Sequence, residues 1–265
     1  MVTFSTVFTA YVIIVAAGVA IAARIYLTRR GSLMMVASLM LWLVYAAVLG
    51  VTGVAGRHDQ VPPGIALLTA PIAITLLAVT LTRPGAIIAR HIPLGLLLGF
   101  QLFRLGVELT LHHLWSIGLA PRIMTLGGGN IEILVAATAP AAAWLACRGS
   151  MGRKVAWAWN LIGLFSLANI VVRAVLSAPG PLHLIVTETP DVGILIYPFT
   201  FVPGFMAPLA MALHILAFRS FHAHSGRVQD TTAAPPRNDG TRTTASLPSN
   251  FSLDPRTPGN IVPDS

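Results

Sequence analysis

Charge is what this chain has least of. Asp, Glu, Lys and Arg make up 10% of its 265 residues and 55% are hydrophobic, giving a mean hydropathy of +0.77. A soluble domain carries about a quarter charged residues, so this composition excludes an ordinary water-soluble globule and predicts a polytopic membrane protein. Cysteine is nearly absent too: Cys147 stands alone, which excludes an intrachain disulfide. The strict alternation of a transmembrane β-strand is missing, so the spans are expected to be helices. Met1 to Ala10 carries no basic residue, and the apolar run continues to Ala23 without a cleavage site, so the first segment is expected to stay as a span. HExxH, intramembrane HxxxH, GxSxG, Walker A and dinucleotide-binding patterns are all missing, and neither a metal nor a cofactor is expected. The formal charge of +8 does not point to nucleic acid, because the basic residues sit in loops and the tail rather than on one face.

What is present is apolar length. Seven stretches are long enough to cross roughly 30 Å of hydrocarbon: Thr6 to Tyr26, Leu33 to Val54, Pro63 to Leu81, Ile92 to Gly118, Asn130 to Cys147, Val155 to Leu176, and Val192 to Phe218. Breakers such as Arg83-Pro84-Gly85 and Gly127-Gly128-Gly129 separate them. Loops one, three and five, with Arg24, hold eight basic residues against two, Arg57 and Arg122, in the alternate loops. The positive-inside rule then predicts an all-α transmembrane bundle of seven spans, with the N-terminus outside and the C-terminus cytoplasmic. Residues 1–219 are expected to form the transmembrane domain. Residues 220–265, rich in Pro, Thr, Ser, Gly and Asn, are expected to form a disordered cytoplasmic tail.

One apolar span carries a polar stripe. Within Ile92 to Gly118, Gln101, Arg104, Glu108, His112 and Trp115 recur every three or four residues, which places them on one helical face. Ionised groups at membrane depth are turned inward and paired, or set beside a site. On the expected topology Arg104 lies near mid-membrane, with Glu108 and His112 further out. Asn130 and Glu132 open the fifth span from outside, and Asn169 and Arg173, four apart, occupy the outer half of the sixth. This convergence predicts a polar pocket in the outer half of the bundle, with Gln101, Arg104, Glu108, His112, Asn130, Glu132, Asn169 and Arg173 as candidate ligand-binding residues. Arg104 and Glu108 are spaced to pair within their own helix. The expected partners of Arg173 are Glu108, Glu132 or a bound anion. Gly95 and Gly99 form a GxxxG pair suited to close helix contact. His214 is placed near the cytoplasmic end of the seventh span, away from the cluster.

Three functions fit this arrangement. The first is binding or transport of a small anionic or polar solute, with Arg104 and Arg173 on the ligand. The second is an enzyme acting on a lipid-linked or periplasmic substrate, with His112 as acid and base and Glu108 setting its tautomer. The third is a non-catalytic scaffold or sensor, in which the charges form a structural ion-pair network, Glu132 complements a helix N-terminus and Arg173 snorkels to headgroups. The partners expected are the lipid bilayer and, in the pocket, an anionic small molecule or lipid headgroup.

Read together, QLFRLGVELTLHHLWSIGLAPRIMTLGGGNIEIL, WNLIGLFSLANIVVRAVLSAP and YPFTFVPGFMAPLAMALHILAF resemble a family of uncharacterised multipass membrane proteins found in bacteria. The likeness covers roughly residues 90 to 220 and is carried by Arg104, Glu108, His112, Asn130, Asn160, Asn169, Pro179, Pro203 and Leu213-His214, among others. Glu132 stands where relatives of this type have Asp. The resemblance implies a bacterial inner-membrane location and no biochemical role.

Overall fold

The computed structural model describes residues 2–58, 60, 62–179 and 183–232. Helices α1 (Val2–Tyr26) and α2 (Arg29–Val51) form a hairpin. Its turn is fixed by Thr28, whose hydroxyl accepts from the Gly31 N–H at 3.2 Å. Helix α3 (Gly64–Leu81) follows, and its threonines return their hydroxyls to carbonyls one turn back, as Thr69 does to Ile65 at 3.0 Å and Thr75 to Pro71 at 2.9 Å. Such bonds leave no unsatisfied hydroxyl for hydrocarbon to meet. A short amphipathic helix, α4 (Arg83–His91), occupies what the sequence reads as a loop. Pro84 suits its first turn and Pro93 ends it.

The striped span is not one uniform helix. It is built from α5 (Leu94–Gly99), a 3-10 turn (Phe100–Phe103) and α6 (Arg104–Ser116). Helices α7 (Glu132–Ala146) and α8 (Gly149–Ser177) form a second hairpin. A π-turn over Val202–Met206 leads into α9 (Ala207–Thr232). That helix runs past the boundary expected at residue 219, no proline interrupting it before Pro235. The rest of the expected tail, 233–265, lies outside the described residues.

Among the described residues, six helices are long and apolar enough to cross a membrane: Thr3–Tyr26, Arg29–Val51, Gly64–Leu81, Leu94–Ser116, Gly149–Ser177 and Val202–His222. Helix α7, with 15 residues, is about 22 Å long, short of the ~30 Å hydrocarbon core. Large apolar side chains point outward around the waist: Ile14 is 67% exposed, Leu41 73%, Ile74 70% and Phe165 69%. In water such a belt would drive aggregation, whereas lipid is its matching solvent. The last span is central, half of its apolar window being buried against 11% for α3, and Phe199, Phe205, Met206 and Leu213 anchor the core around it.

The short α7 does not start at the end of the bundle. Gly95 and Gly99 lie against Ala143 and Cys147 near its C-terminal end, giving the close helix contact their spacing predicts. Its N-terminal end meets Arg104 and Glu108 instead. About 12 Å of α6, from Glu108 to Ser116, therefore extends beyond the start of α7. The connection 117–131 turns back to fill that space, burying Ala120, Met124, Thr125 and Asn130. Irregular backbone at such depth is tolerated only where protein covers it. The cover is the segment before α9, whose Gly193 N–H donates to the Leu119 carbonyl at 2.8 Å.

Candidate functional site

The buried polar residues gather where these broken elements meet. The 3-10 turn has three residues per turn, so it stacks Gln101 in line with Arg104, and both side chains are buried. Arg104 forms an ion pair with Glu132 in the first turn of α7. A carboxylate there also complements the partial positive charge of the helix N-terminus. The sequence spacing offered Glu108 as the partner within the same helix, but an Arg preceding a Glu by four is the weaker orientation of such a pair. Glu108 turns instead to Asn130, whose Nδ2 donates to its Oε2 at 2.8 Å and to the Met124 carbonyl at 2.9 Å. The Asn130 Oδ1 accepts from the Glu132 N–H at 3.0 Å, capping α7. One asparagine thus ties the inward-turning connection, the start of α7 and the acid of α6 together.

Two further members lie on α8 and α9. Nη1 of Arg104 is 3.1 Å from Nε2 of His214, and Nδ1 of His214 is 2.8 Å from Oδ1 of Asn160. A guanidinium only donates, so Nε2 is the acceptor and the imidazole proton sits on Nδ1, donated to Asn160. Asn160 in turn donates from Nδ2 to the His214 carbonyl at 3.1 Å. Both residues are fully buried. This corrects the placement of His214 near the cytoplasmic end and away from the cluster. The regular helix begins near Val202 rather than Val192, so His214 falls at mid-span. Pro203 and Pro208, residue types suited to a first helical turn, were the signal for that later start.

Gly163 of α8 makes room for the ring. A Cβ added there would stand 2.6 Å from Cε1 of His214. Because Arg104 and Asn160 hold the imidazole from both sides, it has little freedom to retreat. Gly163→Ala is expected to destabilise the folded protein by about 1–3 kcal/mol, measured as thermal unfolding in detergent. Adding His214→Ala is expected to relieve part of that loss. Additive losses in the double variant would show that the clash is elsewhere.

The other predicted site residues stand apart. His112 is exposed, its ring 5.2 Å from that of Trp115. Each i to i+4 step advances 40° around an α-helix, so the stripe that buries Arg104 and Glu108 has slid out of the core by His112. Asn169 is exposed on α8. Arg173 is half-buried and meets no acid among the described residues: its Nη1 donates to the Gly128 carbonyl at 3.0 Å and lies 3.4 Å from that of Ile123, pinning the inward-turning connection. Two acceptors in the cluster, Oε1 of Gln101 and Oε1 of Glu132, are buried with no hydrogen-bond partner among the described residues. No group of three or more His, Cys, Asp or Glu among the described residues is placed to hold a metal ion.

A belt of apolar side chains around a buried, cross-helix polar network defines a polytopic helical membrane protein. The sequence model of one family matches residues 62–221, and the chain belongs to that family, described as a domain of unknown function (DUF8737). The match begins at α3 and ends within α9, so it takes in every member of the polar network and leaves α1 and α2 outside. No curated protein and no solved structure matches the chain.

Proposed function

We propose that this chain is a seven-span protein of a bacterial inner membrane, with its N-terminus outside and its C-terminus in the cytoplasm, that binds and moves a small polar solute at the Arg104–Glu132 centre. The excess of basic residues in alternate loops supports the orientation. The hairpin of α7 with α8 supports a seventh crossing in which the connection 117–131 makes up the length that α7 lacks. The observation that carries the solute reading is the pair of unfilled acceptors, Gln101 Oε1 and Glu132 Oε1, on two residues that flank Arg104. Buried acceptors without donors are costly, and a donor-bearing solute removes that cost. Broken helices meeting at mid-membrane are also how solute carriers commonly build a binding site.

The chemistry favoured is not the anionic one that the two arginines suggest. Arg104 is already neutralised by Glu132, and Arg173 is spent on carbonyls. The buried cluster holds one guanidinium against two carboxyls, Glu108 and Glu132. A proton, an ammonium ion or an amine-bearing solute balances that count. The enzyme reading has less support, because Glu108 accepts from Asn130 while the exposed His112 packs its ring on Trp115. The scaffold reading keeps one observation in its favour: Arg104, Glu108 and Glu132, the charged groups of the cluster, each have a protein partner.

Permeation separates solute from scaffold. Full-length protein in phosphatidylcholine vesicles is tested by stopped-flow light scattering with glycerol, urea and ammonium chloride. At least one probe is expected to enter faster than into protein-free vesicles. Glu132→Gln, which keeps the shape and removes the charge, is expected to slow that entry by about tenfold or more. Entry no faster than in empty vesicles, or unaltered by Glu132→Gln, assigns the cluster to structure alone.

A further inference from the structure

Away from the polar cluster, towards the end of the bundle that carries Arg24, Arg29, Arg30 and Arg83, lies a cavity of about 610 Å³ between α1, α2, α3, α5 and α9. Its walls are almost wholly apolar, built from side chains such as Leu39, Ile72, Ile88, Phe100 and Leu216. Two polar side chains on the wall are already engaged: Trp42 donates to the Gly204 carbonyl at 2.6 Å and Thr75 to that of Pro71. The volume is within the ~300–1,000 Å³ range of ligand sites. Lining residues Ile21, Ile25, Ser38 and Thr75 are exposed, so the cavity opens sideways towards lipid.

A second cavity of about 450 Å³ is lined by Ala86, Arg90, Phe218, Arg219 and His222. A hydrogen bond links the two linings: Val79, which lines the apolar cavity, accepts at its carbonyl from Nη1 of Arg219, which lines the second. The same guanidinium nitrogen donates to the Thr80 carbonyl, so Arg219 caps the last turn of α3 while Nε and Nη2 remain for a ligand. Helix α4 contributes to both: Ile88 lines the apolar cavity, and Ala86 and Arg90, one turn apart, line the basic one. A short helix with apolar residues on one side and Arg83, Arg90 and His91 elsewhere suits a membrane interface. Helices α3, α4 and α5 carry no acid, and neither does α9 before Asp230.

We infer that these linked cavities bind one anionic phospholipid of the surrounding bilayer, with an acyl chain in the apolar cavity and its phosphate against Arg90 and Arg219. The apolar walls select a hydrocarbon chain and exclude a soluble anion. The arginines of the second cavity select an anionic headgroup over a zwitterionic one. The sideways opening gives the chain a route from the bilayer. This site shares no residue with the solute centre, so either reading stands or falls without the other.

Native mass spectrometry of the full chain in a neutral detergent tests it, with phosphatidylglycerol, phosphatidylcholine of the same chains, and inorganic phosphate as probes. Phosphatidylglycerol is expected to be retained in preference, and Arg90→Gln, at an exposed position, to weaken its retention by about fivefold while leaving phosphatidylcholine unchanged. Ala212→Phe, projecting into the apolar cavity, is expected to reduce retention of both lipids. Equal retention of the two lipids, or no effect of Arg90→Gln, overturns the headgroup assignment. Inorganic phosphate bound as well as the lipid overturns the acyl-chain assignment, as does unchanged retention by folded Ala212→Phe. Should that variant not fold, the lipid comparison and Arg90→Gln decide the matter by themselves.

Discussion

Glu132→Leu is expected to destabilise the protein by about 3–5 kcal/mol, the largest loss anticipated for any single replacement in the polar core. Arg104 is 3% exposed, and removing Glu132 leaves its guanidinium with the Nε2 of His214 as hydrogen-bond partner and Glu108 as a nearby carboxyl. Glu108 is bonded to Asn130 rather than to Arg104, so the buried cation loses its direct counter-ion, which membrane interiors tolerate poorly. The informative variant is the double one, Arg104→Met with Glu132→Leu. Taking both charges out removes the desolvation penalty along with the attraction, so most of the single-variant loss is expected to return. A residual loss of about 1–2 kcal/mol remains, because the His214 Nε2 acceptor then has no donor. Unfolding by denaturant in detergent micelles, run as a double-mutant cycle, measures both terms. A neutral Glu132→Leu would mean that the ion pair does not form. The same four proteins bear on function: a double variant that is stable but impermeable to solute is the mark of charges retained for a site rather than for the fold.

Six of the seven expected spans correspond to membrane-length helices, because apolar length is read directly from composition, and helices end where Pro, Gly and charge demand it. The stripe of Gln101, Arg104 and Glu108 was legible for the same reason: three charged or amide side chains in an apolar helix must face inward. The pairing was harder to read. Arg104 chose Glu132 across helices over Glu108 on its own, a choice governed by the depth at which α7 begins. That depth depends on a connection of 15 residues, 117–131, which turns into the bundle, and no periodicity marks it. His112 looked like a continuation of the stripe because a spacing of four is close to one turn; the 40° excess, repeated twice from Arg104, carries it out to the surface. Asn160 and His214 were missed for the opposite reason. Each is a lone polar residue on its face, and their mutual bonds exist only once α8 and α9 are packed. Arg173 shows a third limit, since a cation at a helix end can be satisfied by backbone carbonyls, which no sequence pattern displays.

Asp191→Asn is expected to raise stability above neutral pH and to flatten its dependence on pH. Asp191 belongs to the segment preceding the last span, outside the membrane-spanning helices, and is completely buried. Neither carboxyl oxygen has a hydrogen-bond partner among the described residues. Burial without a compensating donor pushes its pKa from an ordinary 3.8 to about 7. Between those two values the folded chain keeps a proton that the unfolded chain has released. Stability is therefore greatest below the ordinary value, falls as pH rises through the window, and has lost its full increment above about 7. A shift of this size corresponds to something on the order of 4 kcal/mol. Glu188, in the same segment, has the opposite sign: the Arg122 N–H, at 2.9 Å, its own N–H and the Arg122 charge lower its pKa. Its contribution is present above the ordinary carboxylate range and lost as pH falls through the lowered value. The two acids thus act in separate windows, and Glu188, fully exposed, contributes little in either. Melting temperature followed from about pH 4 to pH 8 in the wild type and Asp191→Asn distinguishes them. The curves should meet at the acid end and diverge towards the alkaline end, with the variant higher. Parallel curves would mean that water reaches Asp191. The Gly193–Leu119 bond, which closes this segment over the inward-turning connection, would then be open for much of the time.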